Sequence, residues 1–227
     1  MNNLKDNLDN VNARIASACK TAHRTPDSVN LLAVSKKHAA SRVRLLFDAG
    51  QRAFGENYVQ EALAKQTELH DLAIEWHFIG PVQSNKTGDL AHHFDWVQSV
   101  DREKILRRLS SQRPTDSPDL NICLQVNIDN EPQKGGACPT EIPSLADLTA
   151  TLPGLRLRGL MVIPRAPSPG HDTKPSLIRM AELFEELRRQ YPPMDTLSMG
   201  MSADLEQAIR AGSTMVRVGT DLFGPRD

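Results

Sequence analysis

The sequence has no excess of charge of either sign, no long apolar run, few cysteines and few aromatic residues. Lysine plus arginine number 27 against 28 aspartate plus glutamate, a formal charge of -1. Nothing in that balance draws the chain to nucleic acid or to an acidic membrane surface, so small molecules or proteins are the expected partners. The opening "MNNLKDNLDN" lacks an apolar signal core, and no uninterrupted apolar stretch nears the roughly 18 residues that a membrane span needs. A soluble, cytoplasmic protein is expected. The cysteines, Cys19, Cys123 and Cys138, are odd in number and lack metal-like spacing, which fits reduced thiols better than a disulfide framework. Cys138, in the Gly/Pro-flanked "KGGACPT", reads as a bystander. His92 and His93 in "LAHHFDW" have no Cys, Asp or Glu spaced to complete a ligand set, so no metal is expected. The basic "RRLSSQR" has no interleaved aromatics and reads as a solvated helix face.

What is present is a core and a regular alternation. The chain has 227 residues, 39% of them hydrophobic, enough for one α/β barrel. Leu4, Leu8, Val11, Ile15 and Cys19 recur three or four apart and predict an amphipathic helix over 2–22. After "RTPDS" come short β-type runs, "LLAVS", "RAFGE", "EWHFIG", "WVQSV", "NICLQVNI", "LRLRGLMVI", "TLSMG" and "STMVRVG". Helical patterns such as "ASRVRLLFDAG", "YVQEALAKQTEL", "REKILRRLSS", "SLIRMAELFEELRRQ" and "ADLEQAIRAG" lie between them, with "SNKTGDLAHHF" weaker. Strand and helix in strict alternation predict a (β/α)8 TIM barrel with an extra N-terminal helix, a single domain over 1–227. The Pro-rich "RPTDSPD" and "PRAPSPGHDTKP" are the segments expected to be mobile.

In such a barrel the working residues sit at the C-terminal ends of the strands, and alternate strand residues point inward. The stretch "LLAVSKKHAA", 31 to 40, then poses a problem. It is apolar and built for burial, yet it ends in two lysines, and a buried ammonium is costly unless paired or neutral. With Leu32 and Val34 inward, Lys36 faces the mouth, while Ser35 and Lys37 turn to the helices or the rim. Lys37 reads as an ordinary surface lysine and Lys36 as the anomaly. In the last strand Val216 and Val218 suit the helix side, leaving Met215, Arg217 and Gly219 inward, and an inward arginine needs an acceptor. Asn57, His77, Asn127 and Ser198 lie at other strand ends, so polar side chains converge on one mouth. Trp76 and Phe78, alternating with His77, are expected to pack against helices.

After the last two strands the chain reads "SMGMSADLEQAI" and "VGTDLFG". Ser198, Gly200 and Ser202 lead into a helix with Ser202 as its expected N-cap, and Gly219 with Thr220 form a second turn with accessible amides. Small residues let amides approach an anion, a helix N-terminus favours it, and this fold most often places a phosphate at these loops. An interior lysine opposite such a cradle can pair with a phosphorylated substrate. As a neutral amine it can instead form a Schiff base with an aldehyde that carries the phosphate. That second use requires its pKa to fall from about 10.4 through burial or nearby cations, for which Lys37 and Arg217 are candidates. Pyridoxal 5'-phosphate joins an aldehyde, a phosphate and a ring nitrogen that Arg217 could face.

With those residues assembled, the chain resembles the pyridoxal phosphate homeostasis protein family, barrels related to the N-terminal domain of bacterial alanine racemase. The resemblance is carried by "AVSK" (33 to 36), "FGENYVQE" (54 to 61), "WHFIGPVQSNK" (76 to 86), "SVDR" (99 to 102), "GLMVI" (159 to 163) and "LSMGMSADLEQAIRAGSTMVRVGTDLFGPRD" (197 to 227). It implies that Lys36 holds the cofactor as an internal aldimine. It also implies that Ser198, Met199, Gly219 and Thr220 surround the phosphate, that Arg217 faces the pyridine nitrogen, and that Asn57 and His77 lie near the ring. The family usually follows its lysine with a small polar residue and a proline, where this chain has Lys37, His38 and Ala39. The family also offers Lys134, in "NIDNEPQKGGACP", as a secondary aldehyde acceptor; the residues alone favour a solvated loop lysine.

The function implied is carriage: a monomeric protein of pyridoxal phosphate homeostasis that holds the cofactor and passes it to pyridoxal-dependent apoenzymes, without evident catalysis. The rival is a fold-type-III enzyme such as an amino-acid racemase. Racemisation needs a base on each face of the Cα carbanion, and related racemases draw a tyrosine from an added β-domain. This chain ends soon after its last predicted strand. Its tyrosines are Tyr58, at a helix start, and Tyr191, before "PP". An arginine at the ring nitrogen also keeps that nitrogen unprotonated and weakens the electron sink. A third reading has Lys36 attacking a sugar phosphate carbonyl directly, as an aldolase does, and predicts a colourless protein.

Overall fold

The computed structural model describes residues 4–165 and 172–224. Each apolar run becomes a strand: β1 Asn30–Val34, β2 Ala53–Glu56, β3 Glu75–Phe78, β4 Trp96–Val100, β5 Leu120–Val126, β6 Leu155–Val162, β7 Thr196–Ser198 and β8 Met215–Val218. They pair in chain order into a closed barrel, with β8 returning parallel to β1 through Leu32 opposite Arg217 and Ala33 opposite Val218. The helices are α1 Leu4–Thr21, α2 Ala40–Asp48, α3 Val59–Glu68, α4 Thr87–His93, α5 Glu103–Gln112, α6 Ile142–Thr151, α7 Lys174–Gln190, α8 Leu205–Arg210 and α9 Thr220–Phe223. The expected (β/α)8 barrel with an additional N-terminal helix is therefore the architecture found.

Strand alternation sorts the side chains as the spacing predicts. Ala33, Phe54, Trp76, Phe78, Val97, Leu197, Val216 and Val218 join the buried layer between sheet and helices. Trp96, Cys123 and Met161 form a separate cluster inside the barrel. Burial of each large apolar side chain contributes about 1.5–3 kcal/mol. Phe78 meets Phe94 edge to face, with ring centroids 5.6 Å apart. Strand β7 is shorter than its sequence run because Gly200 adopts φ 98°, a left-handed conformation that ends extended structure. A Cβ there would lie 2.5 Å from the Ala208 Cβ. Helix α6 was not singled out by sequence; its "IPSLADLTAT" carries few charges, and a proline in the first turn starts it.

Helix α1 buries Leu4, Leu8, Val11, Ile15 and Cys19 against α8, α9 and α2. Asn7 Nδ2 donates to the Leu222 carbonyl at 2.8 Å. Further along, the Arg14 guanidinium joins Glu206 of α8 at 2.8 Å, Asp221 of α9 at 2.5 Å and the Ser202 carbonyl at 2.9 Å. One side chain thus bridges the two turns that follow β7 and β8. The "RPTDSPD" loop is tied by Arg113, which donates to the carbonyls of Pro118, Ala91 and Phe94. Residues 166–171, half of the second Pro-rich loop, lie outside the described residues. Among the described residues no helix is long and apolar enough to cross a membrane, and no His, Cys, Asp and Glu group could hold a metal ion.

Candidate functional site

Register brings the predicted lysine and asparagine together. Val34 pairs with Gly55, so Lys36 and Asn57 both follow the C-terminal ends of the neighbouring strands β1 and β2. On the other flank of β1, a Cβ on Gly219 would come within 3.3 Å of the Val34 carbonyl, so the turn after β8 closes against the base of the Lys36 segment. Lys36 is half-buried, whereas Lys37 is exposed and turns away through a left-handed φ of 64°. Of the two adjacent lysines, the one whose spacing marked it as the anomaly is the less exposed. Asn57 is pinned from behind: a Cβ on Gly80 would sit 2.1 Å from the Asn57 carbonyl oxygen, so only glycine admits this approach.

The segment bearing Lys36 is clamped by a group that sequence reading missed. Lys65 of α3 is buried and donates to the Ser35 carbonyl at 2.8 Å, to Glu56 Oε1 at 2.7 Å and to Glu61 Oε1 at 2.7 Å. Ser35 Oγ donates to the same Glu56 oxygen at 2.6 Å, and the Lys37 amide donates to Glu61 at 2.5 Å. Both neighbours of Lys36 are thereby fixed to one ionic cluster. Burial pushes the Glu56 carboxyl above its usual range, opposed by Lys65 and Ser35. A signal for this existed: Val59, Ala62 and Lys65 share the buried face of α3, so the lysine stands on the stripe facing the sheet.

Arg217 finds the acceptors that an inward arginine needs. Its Nη1 donates to the Ser198 carbonyl at 2.7 Å and to Ser198 Oγ at 2.8 Å, and its Nη2 to the Val162 carbonyl at 2.8 Å. Among the described residues no carboxylate forms an ion pair with it. Burial therefore pulls the guanidinium pKa down to about 10, with Asp204 partly opposing.

Other expected site residues are placed differently. Ser198 is fully buried beneath Arg217, and its hydroxyl also donates to Gln98 Oε1 at 2.6 Å. Its carbonyl and hydroxyl both support the arginine. Met199 faces the helices; its amide donates to the Met215 carbonyl at 3.1 Å and its carbonyl accepts from Ser213 at 2.7 Å. It gives the mouth neither side chain nor open amide. His77 pairs across the sheet with Gly55, two residues short of Asn57, and lies in the layer below the mouth. Its ring is fully buried, stacked on Trp96 with centroids 5.0 Å apart. Its nitrogens are occupied by Glu75 at 2.6 Å and Gln98 at 2.8 Å. Burial holds its pKa below the usual imidazole value, with Glu75 opposing.

Ser202 is not the helix cap, because α8 starts at Leu205 and Asp204 holds the cap position; Asp204 Oδ1 accepts from the Met201 amide at 2.6 Å. The Ser202 turn nonetheless lies beside the Gly219–Thr220 turn, since Arg14 touches both loops. Helices α8 and α9 both begin there, and the first amides of a helix lack intrahelical acceptors. Lys134 is not a solvated loop lysine either. It is partly buried, donating to the Pro164 carbonyl at 2.9 Å and pairing with Glu131 at 2.7 Å. Tyr58 is exposed at the start of α3, and Tyr191 donates to Asp147 away from the mouth.

Comparison with known proteins gives the family. The family described as the alanine racemase N-terminal domain matches residues 7–227. The pyridoxal phosphate homeostasis protein of Pseudomonas aeruginosa is 53% identical over 227 residues, covering 100% of this chain and 97% of that one. Its Escherichia coli K12 counterpart is 49% identical over 231 residues, covering 100% and 98%. Among solved structures, PipY of Synechococcus elongatus with PLP bound is similar with a TM-score of 0.78 at 40% identity, over 92% of this chain and 100% of that one. Alanine racemase from Corynebacterium glutamicum shares the fold alone, with a TM-score of 0.69 at 15% identity over 96% of this chain and 62% of its own. This chain belongs to the alanine racemase N-terminal domain family and, by similarity along its whole length, to the pyridoxal phosphate homeostasis proteins within it.

Proposed function

We propose that the chain, acting as one domain, binds pyridoxal 5'-phosphate at the barrel mouth and serves its homeostasis by holding and releasing it rather than by turning over a substrate. The observation that carries this reading is Lys36 held at the C-terminal end of β1, beside Asn57 and Gly219. The mouth fits the group. Asn57 Oδ1 is buried with no hydrogen-bond partner, an orphan that a polar ligand satisfies. Arg217 is a buried cation held by neutral acceptors, suited to face an unprotonated ring nitrogen. When bound, the cofactor supplies an electrophilic aldehyde and a phosphate handle.

Each residue then has a defined task. Lys36 offers the amine that takes the aldehyde, with the Lys65 cluster fixing the backbone on either side. Gly219 and Thr220, with Ser202 across from them, present amides and hydroxyls to the phosphate. Asn57 orients the ring edge. Ser198 and His77 lie beneath and act through Arg217, and Met199 shapes the turn. Racemisation requires a second base; Tyr58 is exposed at the start of α3 and Tyr191 is engaged by Asp147, so neither tyrosine is assigned that role. A racemase is the alternative, and the family's racemase relatives are its support. The curated relatives' shared description as homeostasis proteins favours carriage. The test is to load the protein with pyridoxal phosphate and incubate it with a broad amino-acid panel in deuterium oxide. Stoichiometric binding without exchange of α-protons supports a carrier; steady exchange with any amino acid establishes an enzyme.

A further inference from the structure

A continuous polar chain runs through the barrel interior from the mouth to the opposite end. Arg217 Nη1 donates to Ser198 Oγ at 2.8 Å, Ser198 Oγ to Gln98 Oε1 at 2.6 Å, Gln98 Nε2 meets His77 Nδ1 at 2.8 Å, and His77 Nε2 meets Glu75 Oε1 at 2.6 Å. Ser198, Gln98 and His77 have no exposure to solvent. Glu75 is 48% exposed and lines a cavity of about 940 Å³ at the lower ends of the strands, roofed by α1.

The two ends decide the direction of every hydrogen between them. A guanidinium can only donate and a carboxylate can only accept. Arg217 takes a lone pair of Ser198 Oγ, which turns the hydroxyl hydrogen to Gln98 Oε1. The Gln98 amide nitrogen then faces His77 Nδ1, which must be an unprotonated acceptor. His77 is left as the Nε2–H tautomer, donating to Glu75. The other amide hydrogen of Gln98 points to Met215 Sδ at 3.1 Å, which agrees with this orientation. Turning the amide over would set its carbonyl against the thioether. It would also place an unprotonated Nε2 against a carboxylate, leaving two acceptors face to face. A doubly protonated imidazole or a protonated Glu75 would avoid that clash, but full burial disfavours the imidazolium and the His77 contact holds the Glu75 carboxyl below its usual range.

We propose that Gln98 and His77 are positioning residues for Arg217: anchored on Glu75, they keep the Ser198 hydroxyl oxygen turned toward the guanidinium and thereby set its pose at the ring nitrogen of the bound cofactor. The inference rests on the reading that the mouth binds pyridoxal phosphate. The carbonyls of Ser198 and Val162 hold the guanidinium as well, so the chain tunes the contact and its loss leaves binding weakened but present. With Gln98 gone, Ser198 Oγ loses the acceptor for its own hydrogen and no longer offers Arg217 a fixed lone pair.

Two measurements test this. The first uses the protein without cofactor: nitrogen NMR of the histidine side chains. His77 is expected as the neutral Nε2–H tautomer from pH 6 to 8. The Nδ1–H tautomer or an imidazolium in that range overturns the direction of the chain. The second compares Gln98→Met, His77→Leu and His77→Gln after loading with pyridoxal phosphate, reading the visible absorption maximum and the rate of release to a trapping apoenzyme. Gln98→Met and His77→Leu are expected to shift the band and to release about tenfold faster, a loss the size of one charge-assisted hydrogen bond. His77→Gln offers the same acceptor and donor pair and is expected to keep the wild-type band. Wild-type bands and release rates within twofold in the first two variants overturn the proposal. Failure of the wild-type protein itself to bind the cofactor refutes the underlying reading instead, and the NMR result still decides the chain.

Discussion

Replacing Lys65 by methionine tests whether the ionic cluster behind Lys36 is structural. The perturbation keeps the aliphatic stem and removes three donated hydrogen bonds, to the Ser35 carbonyl and to Glu56 and Glu61. The side chains of Lys65 and Glu56 are 6% and 0% exposed, so solvent screens this pair little. Breaking a buried pair from one side costs about 3–5 kcal/mol, chiefly because the partner charge is left in place. For a chain of this size that lowers the Tm by about 6–20 °C. The Glu56 carboxyl already titrates above its ordinary range because of burial, and losing Lys65 raises it further. A folded-state pKa above the unfolded one penalises the folded state at high pH, and the penalty fades as pH falls and the carboxyl takes up its proton. The deficit is therefore expected to be larger at pH 8 than at pH 5. Adding Glu56→Gln, which removes the stranded charge and retains an acceptor for Ser35, is expected to recover most of it. Urea denaturation of the wild type and both variants at both pH values provides the check. A Lys65→Met deficit under about 1 kcal/mol, the range of exposed ion pairs, or one that does not change with pH, refutes the reasoning.

Three further outcomes are expected. Gly80→Ala forces a Cβ onto the Asn57 carbonyl, 2.1 Å away in the present backbone; a cost of about 1–3 kcal/mol in thermal melting is expected, together with weaker cofactor retention. Burial depresses the His77 pKa, so between pH 7 and pH 5 the unfolded imidazole, with a pKa of about 6.5, takes a proton that the folded one resists, and stability falls as pH falls. His77→Gln is expected to flatten that slope in urea midpoints measured across the range. Arg14→Ala removes ion pairs that are one-third exposed or more, so a loss below about 1 kcal/mol that shrinks further in high salt is expected; a larger loss in calorimetry shows that α1 depends on this single staple.

The barrel was legible because each strand carries an apolar run with a two-residue alternation and each connection a helical one. Val216 and Val218 against Arg217, and Leu32 and Val34 before Lys36, are readable from spacing alone. The mouth was legible as far as strand ends mark it: Lys36 follows β1, Asn57 follows β2, and Gly219 and Thr220 follow β8. What spacing does not reveal is height within the barrel. His77 points inward as expected, yet the register with Gly55 sets it a layer below Asn57. Ser198 likewise ends its strand under Arg217. The chain through Gln98 joins strands that are not neighbours, β4 with β7, and no local pattern records a contact across a barrel interior. Lys65 was hidden by the rule that helix charges are solvated, although its place on the apolar stripe of α3 marked it as an exception. Lys134 was misjudged because Pro164, which accepts its ammonium hydrogen, lies 30 residues away in sequence.

The most direct test of the central claim is covalent. The purified protein and a Lys36→Ala variant are mixed with pyridoxal phosphate, their visible spectra are recorded, and both are treated with borohydride and mapped by peptide mass spectrometry. The account predicts a visible band in the wild type, a reduced pyridoxal phosphate adduct on Lys36 in about one copy per chain, and neither in the variant. A wild type that stays colourless, or an adduct that maps to Lys65, Lys134 or another lysine while Lys36 stays unmodified, contradicts it.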